Sequence, residues 1–474
     1  MLWLALIKSP QPPFTKGGIL FTDKLLITLQ FAFCNLKFAI KLSNPLAWLP
    51  LWDLGKMKKT PKSLRLQIGL FGRTNVGKSS FLNFIAGQDV AITSPIAGTT
   101  TDVVEKAMEL LPVGPVVFLD TAGLDDTSGL AEARLKKTVR IFDRSDVLVL
   151  VAEPNIWTEY EDQVLEEARQ REIPVILMVN KIDLDQPSES FIEKIREKTD
   201  RILFCSSVDP TRRDPSVNAF KKILIEICPE EFLKPPPLVG DLLPAGGLAV
   251  LIVPIDLEAP KGRLILPQVQ TIREALDSDA AVYVVKEREY AHALQNLKTP
   301  PDLVICDSQV VVKMVADTPG SVKCTTFSIL FSRNKGDLIE MAKGAAVIDT
   351  LNPGDKVLIA EACSHHAIED DIGRVKIPRW LRQYVGGDLQ MDVSSGRDYP
   401  DNLAEYKLIV HCGGCMLTRR EMLARIQRAK EEKIPITNYG LCISFSQGVI
   451  KRVLSPFPVA LDALEVEMKK IKAT

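Results

Sequence analysis

The stretch "GLFGRTNVGKSS", residues 69–80, decides how the front of this chain folds. Around it, "LRLQIGLFG" reads as a buried strand and "KSSFLNFIAG" as the helix after it. Between them Gly72-Arg-Thr-Asn-Val-Gly77-Lys78-Ser79 completes a G-x-x-x-x-G-K-S loop in the context this motif requires. The glycines let backbone N–H groups turn toward a β-phosphate at a helix N-terminus, where the dipole favours an anion. Lys78 is expected to reach the β- and γ-phosphates and Ser79 to ligate Mg²⁺, with Gly72, Asn75, Val76, Gly77 and Ser80 completing the cradle. To this point the motif implies a nucleoside triphosphate and leaves the base open.

Three later segments choose guanine, and hence GTP. "VVFLDTAG" (116–123) is a strand expected to deliver Asp120 to the magnesium shell and Gly123 to the γ-phosphate. "VILMVNKID" (175–183) ends in Asn180, Lys181 and Asp183, whose carboxylate can accept two hydrogen bonds from guanine. "ILFCSS" (202–207) is a further strand whose Ser206 and Ser207 would lie beside the base. In this order the four elements resemble the translation-factor-related GTPases of the TrmE and Era type, over residues 66–228. The resemblance implies that Asn75 ligates K⁺, as in potassium-activated members. It also makes "SPIAGTTTD" (94–102) the switch loop, with Thr101 where an arginine is usual. Thr99 and Thr100 are both candidates to sense Mg²⁺ and the γ-phosphate. Leu124 stands where Ras-like enzymes carry the glutamine that orients water, so hydrolysis is expected to be slow and to lean on a monovalent cation.

A chain of 474 residues is too long for one ordinary core and suggests roughly three domains. Its 46% hydrophobic and 25% charged residues are those of a soluble globular protein. A net charge of −1 gives no electrostatic footprint for nucleic acid or an anionic membrane, and neither is expected as a partner. Nine cysteines, an odd number in an α/β-looking chain, argue against a secreted disulfide scaffold and for a reducing cytoplasm. Residues 1–56 look foreign to the rest: in "ILFTDKLLITLQFAFCNLKFAIKL", Lys24 and Lys37 bound an apolar run of only 12 residues. A bilayer needs about 20, and no signal-peptide pattern is present. The leader is read as a poorly ordered extension, or as lying upstream of a true start at Met57.

"CPEEFLKPPPLVGDLLPAGG" (228–247) is rich in Pro and Gly, and residues 229–247 read as a linker after a GTPase domain (57–228). Beyond it, "LAVLIVPID", "AAVYVVK" and "PDLVICD" alternate with amphipathic stretches, which implies βα units and a parallel sheet. Residues 248–336 carry no catalytic motif or basic stripe and are expected to serve dimerisation. From 337 to 474 the alternation resumes. Two of its strands end in soft metal ligands: "VLIAEACSHHA" (357–367) in Cys363 and His365, and "LIVHCGGCML" (408–417) in His411, Cys412 and Cys415. Strand carboxyl ends are where parallel sheets build sites. Three cytosolic thiolates suit Zn²⁺ or an iron–sulfur cluster. A structural zinc clamp would take His365 as its fourth ligand. Cys442 and Tyr439, at the next strand end, are candidate wall residues, Cys442 being better placed inside.

Cys363-Ser-His365 and then His411-Cys412-Gly-Gly-Cys415, behind a potassium-type GTPase, resemble the HydF family of [FeFe]-hydrogenase maturation GTPases, from Met57 to the C-terminus. "SRNKGDL" (332–338) fits the interdomain segment of that family. The resemblance implies a homodimer or higher oligomer and a [4Fe–4S] cluster on Cys363, Cys412 and Cys415. His365 and His411 become labile or second-shell ligands, and the fourth ligand stays open. It further implies a scaffold that receives a diiron precursor from two radical-SAM maturases and passes it to the apo-[FeFe]-hydrogenase. The alternative weighed against it is an RNA-associated GTPase of the TrmE/Era kind with a zinc-stabilised tail, which the neutral charge disfavours. The expected fold class is α/β: a P-loop GTPase domain, a small α/β dimerisation domain and an α/β parallel-sheet iron–sulfur domain.

Overall fold

The computed structural model describes residues 27–30, 37–40, 61–86, 104–120, 131–229, 232, 236–254, 264–362, 371–396, 399–400 and 402–473. The chain divides into a unit of Met1–Lys59 and a unit of Thr60–Thr474. In the first, β1 (Ile27–Gln30) pairs antiparallel with β2 (Lys37–Ile40).

The second unit opens with β3 (Leu66–Phe71), α1 (Lys78–Ala86), β4 (Val104–Leu110), β5 (Gly114–Asp120) and α2 (Ala131–Arg144). It continues through β6 (Val147–Ala152), α3 (Glu159–Gln170), β7 (Val175–Val179), α4 (Glu189–Arg196), β8 (Ile202–Phe204) and α5 (Arg213–Ile227). Their sheet runs β4-β5-β3-β6-β7-β8, parallel except for β4. The continuous apolar runs of β3 and β6 are wholly buried because separate clusters cover the two faces of the sheet. Since β5 and β6 lie on opposite sides of β3, the order reverses there, and the crevice at its carboxyl end is where such sheets bind ligands.

Two four-stranded parallel sheets complete the unit. One contains β9 (Leu248–Ile252), β10 (Ala281–Val285), β11 (Leu303–Cys306) and β12 (Lys323–Thr326), in the order β10-β9-β11-β12. Helices α6 (Leu266–Asp277), α7 (Tyr290–Gln295) and α8 (Val311–Asp317) connect them. The "CTTFSILF" run is split: Thr326 ends β12 and caps α9 (Phe327–Lys335), its hydroxyl accepting from Ile329 N. The other sheet contains β13 (Lys356–Ala360), β14 (Gln390–Ser394), β15 (Leu408–His411) and β16 (Ile436–Asn438), in the order β14-β13-β15-β16. Around it lie α10 (Leu338–Ala346), α11 (Ile377–Val385), α12 (Arg419–Glu431), α13 (Tyr439–Ser446), α14 (Ile450–Val453) and α15 (Pro458–Ala473). Here β13 is the reversal point, so chain leaving β13 and chain leaving β15 emerge side by side.

The two sheets are separate, yet their core is shared. A single buried cluster runs from Leu238 to Leu464, with Phe327, Ile329, Leu330 and Phe331 of α9 inside it. The stretch expected as linker is part of this packing over its second half. Leu238 and Val239 are buried, and Glu274 on α6 accepts from the N–H groups of Leu238, Val239 and Gly240. Its proline content reads as a tether, but those backbone donors meet a half-buried carboxylate. Among the described residues no helix is long and apolar enough to cross a membrane.

Candidate functional site

Turns that only particular residues tolerate shape the phosphate loop. Gly77 has φ +97° and Asn75 φ +64°. A Cβ on Gly77 would sit 2.2 Å from Asn180 Nδ2, so glycine is needed there for space as well as for conformation. Asn180 explains the close approach. Its Nδ2 donates to the Val76 carbonyl at 2.9 Å, while its Oδ1 accepts from Ser207 N at 3.0 Å and Ser207 Oγ at 2.8 Å. One buried carboxamide thus fastens the phosphate loop, the Asn180–Asp183 turn and the Ser206–Ser207 loop together. Lys78 Nζ donates to the carbonyls of Gly72 at 2.5 Å and Arg73 at 3.0 Å. Asp120 is buried at the end of β5, while Ser79, Ser80 and Asp183 are exposed. Lys181 pairs with Glu153 at 2.6 Å. The rim adds residues the motif did not reveal: Arg73 pairs with buried Glu161 at 2.7 Å, and Gly72 N donates to Tyr160 Oη at 3.3 Å. Thr99, Thr100, Thr101, Gly123 and Leu124 lie outside the described residues.

At the tail site, β15 stops where Cys412 N donates to the Ala360 carbonyl at the end of β13. Ala362 N then donates to Cys412 Sγ at 3.1 Å. Cys412 and Cys415 are half-buried free thiols. Burial pushes Cys412 up to about 11, against N–H groups of Gly414 and Ala362 that favour its thiolate. Burial raises Cys415 too, opposed by the ammonium of Lys335. That lysine, buried at the end of α9, donates to the carbonyls of Cys415 at 3.1 Å and Leu417 at 2.8 Å, and burial lowers it to about 8. Two thiols in C-x-x-C spacing, one already accepting a backbone N–H, suit cysteine ligation of an iron–sulfur cluster. Cys363 and His365 lie outside the described residues, and among the described residues no three metal-ligating side chains converge.

His411 has a different place from the one expected for a labile ligand. It is wholly buried, Arg425 donates to its Nε2 at 2.9 Å, and its Nδ1 lies 2.8 Å from the Cys412 carbonyl. Because arginine can only donate, Nε2 accepts and the proton sits on Nδ1. Burial, then Arg425, lowers this imidazole to about 3. Both nitrogens are committed, so the neutral ring supports Cys412 rather than offering a lone pair to a metal. Cys442 is packed inside, as expected, in α13.

Residues 339–456 match a family model described as the hydrogen maturase F tetramerization domain, and residues 238–336 match the hydrogen maturase F dimerization domain. The chain belongs to the HydF family of hydrogenase-maturation GTPases. The expected dimerisation segment of this HydF-family chain carries that description, and its tail carries one of higher assembly. Residues 67–181 match the 50S ribosome-binding GTPase model. Among curated relatives, the tRNA modification GTPase MnmE of Synechococcus sp. (strain JA-2-3B'a(2-13)) is 41% identical over 124 residues, 26% of each chain. GTPase Der of Campylobacter concisus (strain 13826) is 37% identical over 152 residues, 31% of this chain and 32% of its own. The HydF-family chain therefore spans between a quarter and a third of the length of these relatives. The G domain of the T. maritima FeoB iron transporter aligns over 34% of this chain and 98% of its own at 21% identity, with a TM-score of 0.27.

Proposed function

We propose that this chain is a GTP-hydrolysing scaffold of [FeFe]-hydrogenase maturation, which holds a [4Fe–4S] cluster and a diiron precursor and passes that precursor to the apo-hydrogenase. The observation that carries this reading is the presence, in one compact unit, of a complete guanine-nucleotide loop and a cysteine-bearing crevice at the β13 reversal point. Gly72–Ser80 hold the phosphates, Ser79 and Asp120 hold Mg²⁺, and Asp183 reads the base. Lys78 stabilises charge on the leaving diphosphate as water displaces it from the γ-phosphorus, giving GDP and phosphate. Asn75, exposed beside the loop, is the side chain to ligate K⁺, which supplies charge that Leu124 cannot.

In the tail, Cys412 and Cys415 with Cys363 would hold the cluster, and His365 is the remaining candidate ligand. A [4Fe–4S] cluster on three protein thiolates supplies an iron open to a further ligand, where diiron cargo from two radical-SAM maturases would attach. Arg425 and His411 orient the Cys412 carbonyl, and Lys335 anchors the loop while placing positive charge beside the thiolates.

The homodimer seam is built on β10, and a higher oligomer would be joined through the tail that matches a tetramerization model. That edge strand is unprotected by charge, and Tyr283 and Val284 are each 41% exposed within the segment that matches a dimerization model. The work is placed in the cytoplasm, away from nucleic acid. Anaerobic iron and zinc analysis with EPR after reduction tests the reading. About four irons per chain and a reduced-cluster signal are expected. Stoichiometric zinc that persists after anaerobic reconstitution would overturn it.

A further inference from the structure

The Cys412–Cys415 loop is gripped from outside its own sheet. The Cys415 carbonyl accepts from Ser63 Oγ at 3.0 Å as well as from Lys335. Ser63 stands just ahead of β3, the strand that runs into the phosphate loop. Just past the cysteine loop, Thr418 caps α12 in a reciprocal box with Glu421. The Glu421 carboxylate is double-ended: Oε2 accepts from Thr418 N at 2.9 Å, and Oε1 lies 3.3 Å from Nε of Arg144, the last residue of α2. Arg144 also pairs with Glu105 of β4 at 2.6 Å, and β4 is zipped to β5, which ends in Asp120. The side chains of Arg144 and Glu421 are only 7% and 8% exposed.

The contact is complementary in both directions. The nucleotide module offers the Arg144 cation to the tail, and the tail offers Arg420, which donates to the Arg171 carbonyl at 2.6 Å. Arg171 in turn pairs with Asp143 on α2. Gln67 N donates to Asp146 Oδ2 at 2.8 Å and fastens β3 to the turn after α2. A buried ion pair tolerates little slippage, because a carboxylate left without its cation in a low-dielectric site is strongly disfavoured. A shift of α2 or β3 must therefore either carry the first turn of α12 with it or break the pair.

We propose that this face is the surface through which the nucleotide module sets the conformation of the Cys412–Cys415 loop, with Arg144 and Glu421 as its positioning pair. The inference rests on reading the front module as the GTP site and the loop as the working end of the tail. Its test needs no iron or zinc, so it stands apart from the cluster assignment.

The full-length chain, free of iron and zinc, is alkylated with iodoacetamide in the presence of Mg²⁺ and either GDP or a non-hydrolysable GTP analogue. Labelling of Cys412 and Cys415 is followed by peptide mass. The rates are expected to differ between the two states by about fivefold or more, the low end of ordinary coupling between sites. Glu421→Gln keeps the capping geometry but removes the charge, and Arg144→Met removes the cation. Both are expected to bring the ratio to one while GDP affinity and basal GTP hydrolysis stay unchanged. Ser63→Ala, which disturbs no buried charge, is expected to lower the ratio should Arg144→Met fold poorly. Equal rates in the unmodified chain, or the full ratio retained in Glu421→Gln and Ser63→Ala, would overturn the inference. Nucleotide-dependent labelling in a chain that takes up no iron would keep it and sink the cluster reading instead.

Discussion

Gly77→Ala should cripple nucleotide binding for two separable reasons. The first is conformational: at φ +97° a side chain meets its own backbone, and holding a non-glycine residue there costs about 1–3 kcal/mol. The second is the 2.2 Å approach of the new methyl to Asn180 Nδ2. Asn180 cannot swing away without losing a bond to Val76 or to Ser207, which is about 1 kcal/mol. Together these give about 2–4 kcal/mol, or a loss of roughly thirty- to eight-hundredfold in affinity at about 1.4 kcal/mol per decade. Titration of a fluorescent GDP analogue into the full chain reads this directly. Asn180→Ala separates the causes: in the double variant the clash term disappears, so the two losses should fall short of additive by about 1 kcal/mol. Strict additivity would show that Asn180 does not crowd Gly77. GDP affinity within threefold of the unmodified chain, as an order-of-magnitude bound of about 0.7 kcal/mol, would refute the whole account.

Asn75→Ala should abolish potassium stimulation of GTP hydrolysis, measured as phosphate release in K⁺ against Na⁺; unchanged stimulation would discard the cation assignment. Cys412→Ala should lose its iron after anaerobic reconstitution yet hydrolyse GTP at the normal rate, since the two sites lie on different sheets, and a joint collapse would contradict that separation. Tyr283→Lys, placed on the free edge of β10, should shift the chain to a smaller species by light scattering, with nucleotide binding intact. Lys335→Met should remove the lysine donor from the Leu417 carbonyl and leave the Cys415 carbonyl to Ser63 alone, lowering iron retention; retention equal to the unmodified chain would remove Lys335 from the site.

What could be read in the sequence was what local pattern controls. The phosphate loop carries its own glycines, and the parallel strands announce themselves as apolar runs, because both faces of their sheets are covered. β14 escaped notice because "QMDVS" at a sheet edge has one wet side and no such run. The "CTTFSILF" run concealed a strand–helix junction that only the cap at Thr326 reveals. Around the cysteines, the sequence left His411 as either a labile or a second-shell ligand, and only its partners separate the two. Arg425 takes the lone pair of His411 from α12, 14 positions further on, and Lys335 arrives from another sheet's helix. Ser63 reaches Cys415 across 352 positions of chain. No periodicity encodes such meetings, which exist only once the modules have docked.

The core that runs unbroken from Leu238 to Leu464 has a consequence for how the molecule comes apart. With α9 buried among residues of both four-stranded sheets, neither sheet keeps its apolar surface covered when cut from the other. The two should melt as one cooperative block, in a single calorimetric peak, while the nucleotide sheet, joined to them through polar contacts, opens as its own foldon. Scission between residues 336 and 337 would yield two sticky halves, not two domains. The segments that match the dimerization and tetramerization models are therefore held in one block, and a strain applied to either is felt by the other.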